Sequence, residues 1–181
     1  RRLGADVRID GSLTVNAGSM ESAGFDLDLT NGAGSPAIQV AVGARLSLNA
    51  TNGVTDLGLR DAPVQVSGVL EVAGLVGQRA TIRSAGLGGA FVELDATGQL
   101  VASELEVSGL GRADDPSTSI DERLGALRFN GTQQGAAPAL SAVDLRPVDG
   151  GVALEFLNEN LEVTFPDTVT FNLGAGATSG F

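Results

Sequence analysis

The chain has 181 residues, enough for one domain with a sizeable core, and a formal net charge of −11. It contains no His, Cys or Lys, and all eleven basic residues are Arg. The missing residue types exclude Ser-His and Cys-His nucleophiles, Schiff bases, a P-loop and the usual zinc sites. The negative charge argues against nucleic acid as a partner, and no apolar run approaches the roughly 18 residues needed for direct membrane insertion.

The composition predicts an aliphatic core made by β-strands. Hydrophobic residues make up 43% of the chain but aromatic residues only 4%, with no Tyr or Trp, so Leu, Val, Ile and Ala must fill the interior. Apolar residues alternate with polar ones over short runs, and 26 Gly together with Asn-Gly pairs punctuate them. This pattern is typical of strands and turns, and no segment predicts a long helix.

Three kinds of apolar-polar-apolar strand return in the same order along the chain. The first kind is predicted at residues 7–9, 38–40, 64–66, 92–94, 127–129 and 152–154. The second kind follows at residues 13–15, 46–48, 70–72, from 100 onward and at 161–163. In the fifth unit Gln133 and Gln134 stand where its apolar residues are expected, and Leu140 is the candidate remnant of this strand. The third kind is predicted at residues 27–29, 57–59, around Ile82, and at 105–107, 143–145 and 169–171.

This repeat predicts an all-β parallel β-helix, a solenoid of about six coils with three short strands per coil, which we expect to be right-handed. Each coil can bury its inward face only by stacking on its neighbours, about 4.8 Å away. The alternative is an antiparallel β-sandwich, which would not require the three strand kinds to recur in fixed order.

The stretches GSLTVNAG (11–18), GARLSLNA (43–50) and VSGVLEVAG (66–74) resemble rungs of bacterial surface β-helices. The similar families are autotransporter passenger domains, filamentous-haemagglutinin-type adhesins and, more distantly, the pectate-lyase-like superfamily. The resemblance implies a β-helix of a bacterial secreted or cell-surface protein. It leaves the function open between a structural or adhesive role and polysaccharide processing.

Five charged residues are predicted to share one outward face if the third strands stack in register. In pectate-lyase-like enzymes, acidic residues that bind calcium and an Arg base lie on such a face, so the resemblance makes these residues catalytic candidates. The alternative is that they are solvated surface charges, with Arg interleaved to relieve repulsion. The candidates are Asp28, Asp56, Arg83, Glu106 and Asp144.

An insertion at residues 109–123 (GLGRADDPSTSIDER) is the longest polar segment of the single domain 1–181. Its carboxylates at Asp114, Asp115, Asp121 and Glu122 are candidate calcium ligands, because calcium prefers oxygen donors. Their spacing does not match a known calcium loop, so a solvated surface loop is the alternative.

The leading hypothesis is a non-enzymatic structural or adhesive module: a stalk, a filament subunit or an adhesin segment. Its rivals are a polysaccharide lyase or hydrolase and a β-helix that binds calcium or another ligand through the 109–123 insertion. The chain starts at Arg1 without Met or a signal peptide, and neither end carries a capping helix, so we expect a piece of a longer secreted or cell-surface chain. Expected partners are adjoining coils or other copies stacked end to end, and surface proteins or glycans.

Overall fold

The computed structural model describes residues 1–30, 36–51, 53–84, 89–113, 117, 123–130, 139–157 and 169–171. These residues contain no helix that is long and apolar enough to cross a membrane. They form sixteen β-strands: β1 (Val7–Ile9), β2 (Leu13–Val15), β3 (Gly18–Glu21), β4 (Leu27–Leu29), β5 (Ile38–Val40), β6 (Ala44–Asn49), β7 (Asp56–Leu59), β8 (Val64–Val66), β9 (Val69–Ala73), β10 (Ala80–Ser84), β11 (Val92–Leu94), β12 (Gln99–Leu110), β13 (Gly125–Phe129), β14 (Ala139–Pro147), β15 (Val152–Phe156) and β16 (Val169–Phe171).

The strands stack in three columns, and every strand pair in them is parallel. The first face consists of β2, β5, β8, β11, β13 and β15. The second face consists of β3, β6, β9 and the N-terminal parts of β12 and β14. The third face consists of β1, β4, β7, β10, the C-terminal parts of β12 and β14, and β16. The fold is therefore the predicted parallel β-solenoid, and the antiparallel sandwich is wrong.

The core is a set of aliphatic ladders that run from coil to coil. On the third face Leu27, Leu57, Ile82 and Val107 are register partners in successive coils, and each is at most 1% exposed. Burying one such side chain stabilises a fold by about 1.5–3 kcal/mol. Equivalent ladders line the other two faces, so the interior is filled without Tyr or Trp, as the composition predicts.

The two ends of the stack are less well covered than its middle. At the N-terminal end Val7, Ile9, Leu13 and Met20 pack against the core but are only partly buried. At the other described end Phe156 is 39% exposed, and its ring stacks on the buried Phe129 at a centroid distance of 5.2 Å.

The corner between the second and third faces is formed by single residues in two neighbouring coils. Strand β12 pairs with β9 through Ser103 and with β10 from Leu105, so it bends at Glu104, whose φ is 49°. In the next coil β14 bends at Ala142, whose φ is 52°. Both residues adopt the left-handed conformation, which turns the chain within one residue but is strained for a side chain with a Cβ.

The predicted assignment of the first coil's strands to the three faces is wrong. Strand β1 was expected to be a first-kind strand, but it pairs with β4 and lies on the third face. Strand β2 was expected to be a second-kind strand, but it pairs with β5 on the first face. The second-face strand of this coil is β3, which the sequence did not indicate because Met20 is its one large apolar residue. Short apolar triplets look alike on all faces, and only stacking distinguishes them.

The number of complete coils is accordingly slightly lower than the expected six. The chain enters the described stack part-way through a coil, with residues 1–3 bonded to β3 and with β1 on the third face. The remnant of the fifth second-kind strand is confirmed, since Leu140 is 6% exposed and pairs with Ala102. The strand predicted at 161–163 lies outside the described residues.

Candidate functional site

The five candidate residues of the third strands do lie on the third face, in two outward rows. The inner row aligns Asp56, Thr81, Glu106 and Asp144 as register partners. The outer row, two residues further along each strand, aligns Arg8, Asp28, Gly58, Arg83, Ser108 and Arg146. The rows arise because alternate residues of a strand point outward and the strands are parallel and in register.

In the N-terminal half of the face, Arg83 joins the two rows. Its Nε lies 2.5 Å from Oδ2 of Asp56, and its Nη2 lies 3.7 Å from Oδ1 of Asp28. The hydroxyl of Thr81 also donates to Asp56. Gly58 stands between Asp28 and Arg83 in the outer row, and a Cβ there would overlap the Asp28 carboxylate. The missing side chain lets Arg83 reach across a whole coil.

In the C-terminal half, two arginines converge on Asp144. Nη2 of Arg146 lies 2.6 Å and Nη1 of Arg79 lies 2.9 Å from Oδ2 of Asp144. Arg146 also approaches Glu106 at 3.7 Å. The Asp144 side chain is only 5% exposed, and its Oδ1 is buried without a hydrogen-bond partner among the described residues. Neither Arg79 nor Arg146 was a sequence candidate.

Ion pairs between coils also occur on the other faces. On the second face Arg45 lies 2.9 Å from Glu71, which also accepts a hydrogen bond from Ser47. This Ser47 bond is the largest cause that holds the pKa of Glu71 below its ordinary value; burial opposes it, and the hydrogen bond and charge of Arg45 add to the lowering. On the first face Arg128 bridges Glu93 at 2.9 Å and Glu155 at 2.8 Å.

The local chemistry of the third face disfavours Arg83 as a base. Its hydrogen bond to Asp56 raises the pKa of Arg83 above its ordinary value; burial opposes this rise, while the charges of Asp56, Asp28 and Asp26 add to it. A general base must release its proton near the working pH, and these carboxylates move Arg83 further from that condition.

Metal binding is the second kind of site that the sequence predicts. Within the described ranges, no group of three or more acidic side chains is arranged to hold a metal ion. The calcium candidates Asp114, Asp115, Asp121 and Glu122 lie outside the described residues, so calcium binding stays a prediction. Next to them the structure describes an antiparallel bridge, in which Arg112 N donates to Leu124 O at 3.0 Å and Leu124 N donates to Arg112 O at 3.1 Å.

The chain matches no protein-family model, no curated protein and no solved structure. The fold therefore defines the class of protein, a parallel β-solenoid.

Proposed function

We propose that this chain is a structural or adhesive β-solenoid module of a bacterial secreted or cell-surface protein, such as a stalk, a filament subunit or an adhesin segment. The observation that carries the proposal is the use of outward charges as links between coils. Arg45, Arg83, Arg128 and Arg146 each pair with an acid on another coil, on all three faces. Charges used in this way hold the stack together.

The same observation weighs against the enzymatic alternative. All five catalytic candidates of the third face take part in ion pairs. A catalytic acid or base needs a free proton-transfer position near the substrate, whereas these groups point at one another. The resemblance of residues 11–18, 43–50 and 66–74 to rungs of surface adhesins supports the non-enzymatic reading and a location outside the cell.

Stacking with further coils or with another copy is part of the proposal. Val7, Ile9, Leu13 and Met20 leave aliphatic core partly exposed at the N-terminal end of the stack. An adjoining coil placed there would bury this surface and pair with the edge of β2, which has β5 as its only strand partner among the described residues. Surface proteins or glycans would then contact the outward side chains.

Two measurements test the proposal. Light scattering over a range of concentrations and negative-stain electron microscopy should show end-to-end assembly, and Leu13→Asp should reduce it while Thr14→Asp, one residue away and outward, should reduce it less. Circular dichroism confirms that both variants fold. Discrete monomers at all concentrations, together with lyase or hydrolase activity on polysaccharides that Arg83→Ala abolishes, would overturn the structural role in favour of the enzyme.

A further inference from the structure

Aspartate is followed directly by glycine at two places in the chain, Asp10-Gly11 and Asp149-Gly150. In such a pair the backbone nitrogen of the glycine can attack the carboxyl carbon of the aspartate, because glycine has no Cβ to hinder the approach. Both pairs lie at corners between the third and first faces, one between β1 and β2 and the other between β14 and β15. The surroundings of the two carboxylates therefore decide which pair reacts.

The corner at Asp149 leaves the reacting groups free. Asp149 is exposed, and its carboxylate makes no hydrogen bond or ion pair within the part of the chain that the structure describes. The peptide unit that joins it to Gly150 makes no hydrogen bond to the described residues either. Gly150 has a φ of 77°, and Gly151 N donates to Val148 O at 2.8 Å, which is the arrangement of a type II turn. No bond has to break before the Gly150 nitrogen approaches the carboxyl group.

The corner at Asp10 holds its carboxylate in place. The hydroxyl of Thr30 on the next coil donates to Oδ1 of Asp10 at 3.0 Å, and the backbone nitrogen of Thr30 donates to Ile9 O at 3.0 Å. Attack by the Gly11 nitrogen would first have to break the hydrogen bond to the charged carboxylate, which is stronger than a bond between neutral groups. The structure thus favours reaction at Asp149 over reaction at Asp10.

We propose that Asp149 is a site of spontaneous modification, at which aspartate converts to isoaspartate. The Gly150 nitrogen forms a bond to Cγ of Asp149, while the carboxyl group loses its hydroxyl and the nitrogen its proton, together as water. The product is a cyclic succinimide, and water then adds to one of its two carbonyl carbons. Opening at Cγ restores aspartate, whereas opening at the α-carbonyl carbon breaks its bond to the Gly150 nitrogen and leaves the main chain running through Cβ and Cγ. Water leaves and returns, so the conversion needs no oxidant, reductant or cofactor.

The modification adds one carbon atom to the main chain at a closely packed corner. A Cβ on Gly151 would lie 2.7 Å from Cγ2 of Val148, and a Cβ on Gly150 would lie 3.5 Å from Cβ of Ala113. The corner leads into β15, whose only strand partner among the described residues is β13. The extra atom should therefore loosen β15, at one end of the described stack. This inference does not depend on the proposed function, because Asp149 takes no part in the ion pairs that link the coils.

Ageing of the full chain in neutral buffer at physiological temperature tests the proposal. An isoaspartyl methyltransferase with a labelled methyl donor measures the isoaspartate, and mass spectrometry of protease fragments assigns it to a residue. Isoaspartate should accumulate several-fold more at Asp149 than at Asp10, and the melting temperature should fall as it does so. Asp149→Glu, whose longer side chain disfavours ring closure, should lose the signal and keep its melting temperature. Deamidation at the Asn-Gly pairs changes the mass of a fragment, so it is counted separately.

Thr30→Val is the matched variant, because it keeps the size of the side chain and removes only the hydroxyl that holds Asp10. Once a thermal melt has shown that it folds, isoaspartate at Asp10 should rise towards the level at Asp149. In guanidinium chloride, where the wild-type chain is unfolded, the two pairs should react at similar rates. The assignment would be overturned by isoaspartate at Asp149 no more abundant than at Asp10 in the folded chain, by an excess at Asp149 that persists in guanidinium chloride, or by an unchanged Asp10 in folded Thr30→Val.

Discussion

Arg79 donates a hydrogen bond to Asp144 across 2.9 Å, although 65 positions separate the two residues in the chain. Arg79 follows a tight turn in which Leu75 and Gln78 exchange backbone hydrogen bonds, and it precedes β10. Asp144 lies on β14, which is separated from β10 by β12. The pair therefore spans three neighbouring strands of the third face.

Removal of this carboxylate should destabilise the fold. Asp144→Ala deletes the shared acceptor of Arg79 and Arg146, and we expect the free energy of unfolding to fall by about 1–3 kcal/mol in urea titrations. Glu21→Gln is the control, because its pair with Arg2 is 3.6 Å long and exposed, and exposed pairs contribute at most about 1 kcal/mol. Equal losses in the two variants would contradict a special role for Asp144.

The turn at Asp95 should make stability depend on pH. Burial opposes ionisation of Asp95, but the hydroxyl of Ser67, the backbone N–H groups of Thr97 and Gly98 and the Thr97 hydroxyl all donate to it, and together they lower its pKa below the ordinary value. A lowered pKa gives stability that is present above the ordinary Asp value, about 3.9, and is lost as the pH falls through the folded value.

The variant that tests this effect is Asp95→Asn. At pH 7 its free energy of unfolding should lie about 1 kcal/mol below that of the wild type, because the charged acceptor is gone. The difference should shrink as the pH is lowered below about 4, where the wild-type carboxylate also becomes protonated. Urea titrations across this range measure it, and a difference that stays constant with pH would contradict the mechanism.

Gly98 should not tolerate a larger residue. A Cβ at this position would overlap the carbonyl oxygen of Val66 on the preceding coil, which is backbone and cannot rotate away. Gly98→Ala should therefore lower the free energy of unfolding by about 1–3 kcal/mol. Gly4→Ala is the matched control, because nothing lies within 4 Å of a Cβ there. Thermal melts compare the two, and a melting temperature of Gly98→Ala as high as that of Gly4→Ala would argue against close coil contact at this corner.

Ala142→Gly should stabilise the chain, unlike most changes to glycine. Ala142 has a φ of 52°, which costs an L-residue about 1–2 kcal/mol, whereas glycine adopts this conformation freely. Glycine also raises the entropy of the unfolded chain, which offsets part of this relief, so the free energy of unfolding should rise by about 0.5 kcal/mol. Ala73→Gly, in the extended strand β9, should instead lose about 0.5–1 kcal/mol. Chemical denaturation of both variants reveals whether the two changes have opposite signs.

The sequence predicted the fold because its signal is repeated. Apolar triplets such as 38–40 and 64–66 recur in many coils, so one ambiguous unit does not obscure the pattern. The first coil was misassigned because β1 and β2 carry the same kind of triplet on different faces. The alternation of apolar and polar residues within one strand does not specify which other strand it pairs with.

The candidate site was only partly predictable. Register alone places Asp28 and Arg83 in one row, and this could be inferred from the repeat. The reach of Arg83 to Asp28 depends on Gly58, which in the sequence looks like an ordinary strand glycine. The pairing of Arg79 with Asp144 depends on side-chain positions, which sequence spacing does not supply.

The parallel register has a consequence for how the chain could change in length. Within the described ranges, each strand pairs with the equivalent strands of adjacent coils, as Ile38 does with Val64 and Val64 with Val92. Deletion of residues 64–91 would therefore bring Val92 onto Ile38 with every column still aligned, and would shorten the stack by about 4.8 Å. Whole coils can in this way be gained or lost by recombination between repeats, whereas an insertion of one residue within a strand would turn the apolar side chains that follow it out of the core.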